Sequence, residues 1–432
     1  MKHTPSILDR TQPPPIRPVT EVRWSAPRRY PLPGGASCYA LADPALEAFR
    51  LDILFPQGTW HEPRPLAAEA TIHNLQEGTR RKDAATIAGT FEYYGSYLMP
   101  FSHLDHTGLS LYALRRHAAP LLELLAEILT EARFPEEEFR TWLAQERQAF
   151  LIESEKVSYL SLAAFRELIF GADHPYGRRR REEDYLQLQR TDLTTWHREQ
   201  LLAGERILIL AGSSDEELLT SFKILAPSGA GAAPGEEGFP APPPYAGKEL
   251  FIEKKNAVQA AITMGRRIIN RNHPDYPALA FTITLLGGYF GSRLMKNIRE
   301  EKGYTYGISA SLRPLRHDAY LTIQTEAGSE VCRDTIEEIR KEIRRLMDDP
   351  PPAEEMMLVR NYMMGNLLQS LDGVLARGEM VRRLLSAHAP LDHVERFSRA
   401  LRKVTPEQVS EMARRWLDPG TMALVVAGKC KG

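Results

Sequence analysis

The sequence predicts an α+β protein. It reads as two homologous domains, each a mainly antiparallel sheet covered on one face by helices, joined by a Pro/Gly-rich linker. Three observations predict this. Residues 228–247, SGAGAAPGEEGFPAPPPYAG, lose all apolar periodicity and have the composition of a linker. The stretches on either side repeat one another. DLTTWHREQLLAGERILILAG at 192–212 and TPEQVSEMARRWLDPGTMALVVAG at 405–428 each read as a capped amphipathic helix, a short turn, a β-rich run and Ala-Gly. Lastly, strands come in hairpins and helices are grouped apart, which places helices as a layer against a sheet.

Residues 1–20 are Pro-rich and polar and predict an extended arm with no core of its own. An N-terminal domain over 21–227 and a C-terminal domain over 248–432 follow, either side of the linker. Strands open each half, at 36–56 and 249–266, and helices come next, at 65–94 and 274–302. A hairpin is expected at 95–116, where YYGSYLMPFSHLDHTGLSLYALRR (93–116) echoes EKGYTYGISASLRPLRHDAYLTIQTEA (301–327) and its hairpin at 304–327. Long helices then dominate. APLLELLAEILTEA at 119–132 and CRDTIEEIRKEIRRLM at 332–347 carry apolar residues at i, i+3, i+4 and i+7. A final strand closes each half.

Lys plus Arg number 55 and Asp plus Glu 56, so there is no basic surplus for general nucleic-acid binding. No apolar run approaches the roughly 18 residues of a membrane helix, and MKHTPSILDRTQPPPIRPV lacks the apolar region of a secretory signal. Cys38, Cys332 and Cys430 have neither zinc-site spacing nor the number for a disulfide framework. They read as free thiols in a reducing compartment, and the expected location is cytoplasmic.

The segment with most chemical content is 286–308, LGGYFGSRLMKNIREEKGYTYGI. Its glycines lack the Walker Lys-Ser/Thr and the G-x-G-x-x-G spacing, which argues against a phosphate cradle. Its pattern S-R-L…I-R-E-x-x-G-Y-x-Y resembles the C-terminal-domain signature of the pitrilysin-type zinc peptidases, the family of insulin-degrading enzyme and the mitochondrial processing peptidase. The resemblance extends over nearly the whole chain, duplication and linker included. It implies that Arg299 and Tyr306 reach toward substrate at a zinc site. An Arg fork can hold a peptide carbonyl or carboxylate, and a phenol can donate to the oxyanion formed in peptide hydrolysis. The bland reading is a helix-surface Arg and a strand Tyr packed over the sheet.

Active members of that family carry H-x-x-E-H on a helix, with two His ligands, a Glu that activates water, and a second Glu ligand about 75 residues later. Counting back from Gly78-Thr79 puts the motif at 69–73, which reads Glu69-Ala70-Thr71-Ile72-His73. The first His position is Glu69, the catalytic Glu position is Ile72, and only His73 survives. The downstream ligand position falls at Gln148-Ala149-Phe150, with Glu146 and Glu153 the nearest acids. Ile72 has no lone pair and cannot act as a general base. This pattern and the preceding LDRTQPPPI resemble the non-catalytic subunits of two-subunit bacterial relatives.

The expected function is therefore that of a subunit inactive alone. It would have no cofactor or metal of its own, and zinc would reside in a homologous partner carrying H-x-x-E-H. Arg299 and Tyr306 would complete the partner's site around an unfolded peptide. The alternatives are a structural or binding scaffold with no part in hydrolysis, and an autonomous peptidase with Glu69, His73 and Glu146 or Glu153 as substitute ligands. His103 and His106, three apart on the predicted hairpin, are expected to face opposite ways. Arg178 to Arg181 are expected to be neutralised by Glu182, Glu183 and Asp184 next to them.

Overall fold

The structure, a computed structural model, describes residues 11, 19, 22–226 and 241–430. The expected arm at 1–20, apart from residues 11 and 19, and the linker up to residue 240 lie outside the described residues.

The first half runs β1 (Arg28–Pro31), β2 (Ser37–Ala42), β3 (Ala48–Phe55), α1 (Ala67–Asn74), α2 (Ala84–Tyr93), β4 (Tyr97–Ser102) and β5 (Thr107–Leu114). It continues with α3 (Ala118–Glu131), α4 (Glu136–Ser154), α5 (Val157–Phe170), α6 (Glu182–Gln187), α7 (Arg190–Trp196), β6 (Ile207–Gly212) and α8 (Glu216–Ser221). The second half runs β7 (Glu249–Glu253), β8 (Gln259–Arg267), α9 (Tyr276–Ile283), β9 (Thr305–Pro314), β10 (Ala319–Gly328) and α10 (Cys332–Asp348). Then come α11 (Ala353–Gln369), α12 (Gly373–Ser386), α13 (His393–Leu401), α14 (Pro406–Trp416) and β11 (Ala423–Gly428).

The strand orders are β1-β2-β6-β3-β5-β4 and β7-β11-β8-β10-β9. Without β1 they coincide position for position. In each sheet the first strand pairs parallel with the last in sequence, β2 with β6 and β7 with β11, and every other pairing is antiparallel. The fold is thus the expected α+β type, with two mainly antiparallel sheets and helices layered upon them.

Side-chain alternation shows how each sheet is used. Phe49, Leu51, Ile53 and Phe55 of β3 face a core built with Leu121, Leu125 and Ile128 of α3. The intervening residues Arg50 and Asp52 face the other way, toward the second half. On β6, Leu208 and Leu210 join the first core, while Ile209 and Ala211 join the core of the second half. The face opposite a half's own helices therefore receives one helix from the other half. Helix α12 lies on β6 and β3, and α5 lies on β11 and β8. Gly378 on α12 makes the close approach possible, because a Cβ there would sit 2.6 Å from the Ala211 Cβ. On α5, the Ser161 hydroxyl donates to the Val425 carbonyl (3.0 Å), and Phe165 and Ile169 fill the space over Val425 and Ala423. Where α12 meets β3, the Arg50 guanidinium donates to Asp52 (2.9 Å) and Glu379 (2.7 Å).

Two expectations are corrected here. Cys332 and Cys430 are not free: they form a disulfide, with Cα atoms 5.4 Å apart. It joins the first residue of α10 to the segment after β11, and 98 residues of sequence separation hid the pairing. Cys38 is the free cysteine, buried in the sheet, with its thiol pushed up to about 12 by burial. His103 and His106 do not face apart, since they lie in the β4–β5 turn, where the His103 amide donates to the His106 carbonyl (2.8 Å). Their rings are 4.7 Å apart.

Candidate functional site

The degenerate motif lies on α1, as its spacing requires. The helix starts after Leu66, held at φ 73°. The Glu62 carboxylate accepts from the Leu66 and Ala68 amides (both 3.2 Å), serving amides that have no partner within the helix. Ala67, Ala68 and Ala70 let α1 lie close against the sheet. Ile72 points into that core and is 1% exposed. A hydrocarbon side chain aimed inward can neither hold nor activate a water.

Glu69 and His73, one turn apart, occupy the outer face. Glu69 is engaged by a cation from within the chain, because the Arg180 guanidinium donates to its carboxylate. His73 is half-buried, with its ring 6.1 Å from that of Trp142 on α4. Burial lowers its pKa, and the charges of Glu69 and Glu146 oppose that shift. Glu146 is therefore the downstream acid that faces the helix. Glu153 instead pairs with Lys156 in solvent (2.5 Å), and Ala149 is exposed on α4 with only a methyl to offer. Among the described residues no group of three His, Cys, Asp or Glu side chains could hold a metal ion. Zinc does not fit these residues. Its first ligand position is neutralised by Arg180, its general-base position is buried hydrocarbon, and its downstream position is an alanine.

Arg299 and Tyr306 lie at the other candidate centre. Arg299 sits in a π-type helical segment, Met295–Glu301, whose Met295 and Ile298 are buried. Its guanidinium lies over the Phe290 ring, 4.6 Å from the centroid, a cation–π contact that fixes the side chain at the surface. Gly303, at φ 67°, turns the chain into β9, the outer strand of its sheet. Thr305 anchors this turn by donating to the Glu326 carbonyl (2.7 Å). Tyr306 then projects outward, 92% exposed. Among the described residues, Arg299 has no carboxylate partner and the Tyr306 hydroxyl has no hydrogen bond. No hydrogen bond, ion pair or ring contact among the described residues joins them to Glu69 or His73.

The arginine run behaves differently from its sequence reading. It is not neutralised by its neighbours: Arg179 pairs with Glu167 of α5 and Arg180 with Glu69 of α1. The neighbouring acids are occupied elsewhere. Asp184 accepts from the Arg181 amide (2.7 Å) at the start of α6, and Glu182 pairs with Arg147. Acids clustered at a helix start are the signal for this, because they complement the exposed amides and the positive end of the dipole.

Residues 187–363 match a family model described as the peptidase M16 inactive domain. That stretch is similar to the M16 inactive domain. Arg299 and Tyr306 both lie inside it. Over 91% of both chains it is 22% identical to an uncharacterized zinc protease of Mycobacterium tuberculosis. It is also 22% identical to one of Bacillus subtilis, over 90% of this chain and 95% of the relative. The M16 inactive domain from Pseudomonas fluorescens superposes with a TM-score of 0.85 at 23% identity, over 94% of this chain and 99% of that one. A periplasmic protease from Escherichia coli superposes with a TM-score of 0.79 at 15% identity, over 96% of this chain but 47% of that longer one. These structures share the fold, and the zinc-peptidase resemblance expected from the 286–308 motif is met.

Proposed function

We propose that this chain is the non-catalytic subunit of a two-subunit zinc metallopeptidase. A homologous partner with intact H-x-x-E-H would supply zinc, its ligands and the general base, and the bond-breaking chemistry belongs to that partner. This chain would contribute Arg299 and Tyr306. The observation that carries the reading is the Tyr306 phenol, almost wholly exposed and without a hydrogen bond among the described residues. Arg299, seven residues earlier, is held on Phe290 with no carboxylate partner among the described residues. The guanidinium is suited to grip a peptide carbonyl or carboxylate. The phenol is suited to donate to an oxyanion as it forms. The state of α1, with Ile72 in the core and Glu69 held by Arg180, supports the absence of hydrolysis by this chain alone. A Cys332–Cys430 bridge persists in oxidising compartments. We therefore propose such a compartment for the complex, since the expectation of a reducing cytoplasm rested in part on reading these cysteines as free.

The test is Tyr306→Phe and Arg299→Ala, each mixed with the H-x-x-E-H partner and assayed on a quenched fluorogenic peptide. Loss of an oxyanion donor lowers kcat by roughly 10²–10³-fold. Unchanged turnover with both variants would overturn the role and leave a scaffold subunit.

A further inference from the structure

A cavity of about 410 Å³ lies beside the N-terminal end of α1, away from Arg299 and Tyr306. Its walls come from the segment before α1, the β4–β5 turn, one face of α5 and the loop before α6. That volume is in the range of sites that hold small ligands or a few residues of a peptide. Its charge is unusual for a protein with 55 basic and 56 acidic residues. Arg166, Arg178, Arg179 and Arg180 line it, and Glu62 is the only acid among its lining residues. The Glu62 carboxylate is already committed to the Leu66 and Ala68 amides.

Two of these guanidinium groups make no ion pair among the described residues, although the Arg178 charge acts on Glu62. Arg166 donates through Nε to the Tyr176 carbonyl (2.9 Å), and among the described residues neither it nor Arg178 has a carboxylate partner. Burial lowers the Arg166 pKa, and Arg180 is close enough for its charge to push in the same direction. Holding unpaired cations together costs free energy that an arriving anion recovers. Leu66, Leu104, Leu162 and Tyr159 provide apolar surface between the charges. A second cavity, of about 670 Å³, opens between the two halves and shares His103, Leu104 and Leu162 with the first. Five arginines line it against Asp105 and Glu379. The two cavities form one basic corridor with apolar patches, the complement of a peptide bearing carboxylates.

We propose that this corridor binds acidic peptide segments, with a carboxylate seated between Arg166 and Arg178. The inference rests on reading the chain as a peptide-handling subunit, and it names the charge of the peptide that subunit selects. Apolar walls and a length extending through two joined cavities favour a peptide over a small inorganic anion. A guanidinium fork matches a carboxylate in two-point geometry.

The test uses the full chain without any partner. Fluorescence anisotropy is recorded with a labelled decapeptide rich in Glu and with the same peptide carrying Gln in place of each Glu. The expected result is a clear preference for the acidic peptide, weakened roughly tenfold by Arg178→Gln, the scale of one lost charge-assisted hydrogen bond. Arg166→Gln should weaken it as well. Arg140→Gln on exposed α4 should leave affinity unchanged, and circular dichroism verifies that each variant is folded. Because the Arg178 side chain makes no hydrogen bond or ion pair among the described residues and acts on Glu62 only through its charge, that variant tests the site while removing little that supports the fold. Equal binding of the two peptides would overturn the proposal. So would an acidic preference insensitive to both substitutions, or displacement of the peptide by inorganic phosphate at the peptide's own concentration. None of these outcomes bears on Tyr306, whose test requires the partner, so either reading can fail without the other.

Discussion

Replacing Glu379 by Gln probes the junction where α12 crosses the first sheet. Glu379 accepts from Arg50 (2.7 Å), Arg382 (2.6 Å) and Arg383 (3.0 Å). Although burial raises its pKa, hydrogen bonds and charge from Arg382, Arg50 and Arg383 outweigh it and hold the carboxyl at about 2, against the usual 4.5. At about 1.4 kcal/mol for each pH unit, that difference is worth ~3 kcal/mol. Solvent reaches the 22% of the side chain left exposed and reduces this to ~2 kcal/mol. The folded-state value is depressed, so the stabilisation is complete above the unfolded pKa near 4.5 and lost as pH falls through about 2. Urea denaturation followed by tryptophan fluorescence at pH 7 should show Glu379→Gln less stable by ~2 kcal/mol. The gap between variant and wild type should shrink as the pH is lowered from 5 toward 2. A variant as stable as wild type at pH 7, or a gap independent of pH, would refute the account of this junction.

Three further outcomes follow from the same packing. Phe165→Ala empties the site where α5 meets the second sheet and should destabilise the protein by ~3–5 kcal/mol, measured by urea denaturation. Glu62 shows the opposite linkage to Glu379, because burial raises it from 4.5 to about 7. Its contribution is complete below pH 4.5 and is lost as pH rises through 7, so Glu62→Gln should flatten the stability profile across that window. Non-reducing peptide mapping should recover a Cys332–Cys430 cross-link, and Cys332→Ser with Cys430→Ser should lower stability by ~2–4 kcal/mol.

Most of the fold was legible because its signals are local. Hairpin alternation, amphipathic periodicity and the repeated helix-turn-strand ending gave the elements of both halves and their duplication. The exchange of α5 and α12 between the sheets was not read, although a trace of it is present. ILILAG in β6 and ALVVAG in β11 are apolar on both faces, as strands covered on two sides are. Arg50 and Asp52 masked the same signal in β3, because a buried ion pair looks like a solvent face in a one-dimensional pattern. The degenerate residues of α1 were legible as a loss of chemistry. What replaced it was not, since Glu69 and Arg180 are 111 residues apart. The disulfide and the arginine cavity are likewise long-range products of the fold, and no spacing rule reaches them.

The central claim is that hydrolysis requires a second chain. Its most direct test is turnover of a quenched fluorogenic peptide by this chain alone, by the H-x-x-E-H homologue alone, and by the mixture, each with added zinc and with chelator. The account predicts silence from this chain and chelator-sensitive turnover in the mixture above that of the homologue alone. Chelator-sensitive turnover by this chain on its own would contradict it and would return Glu69, His73 and Glu146 to consideration as a working metal site.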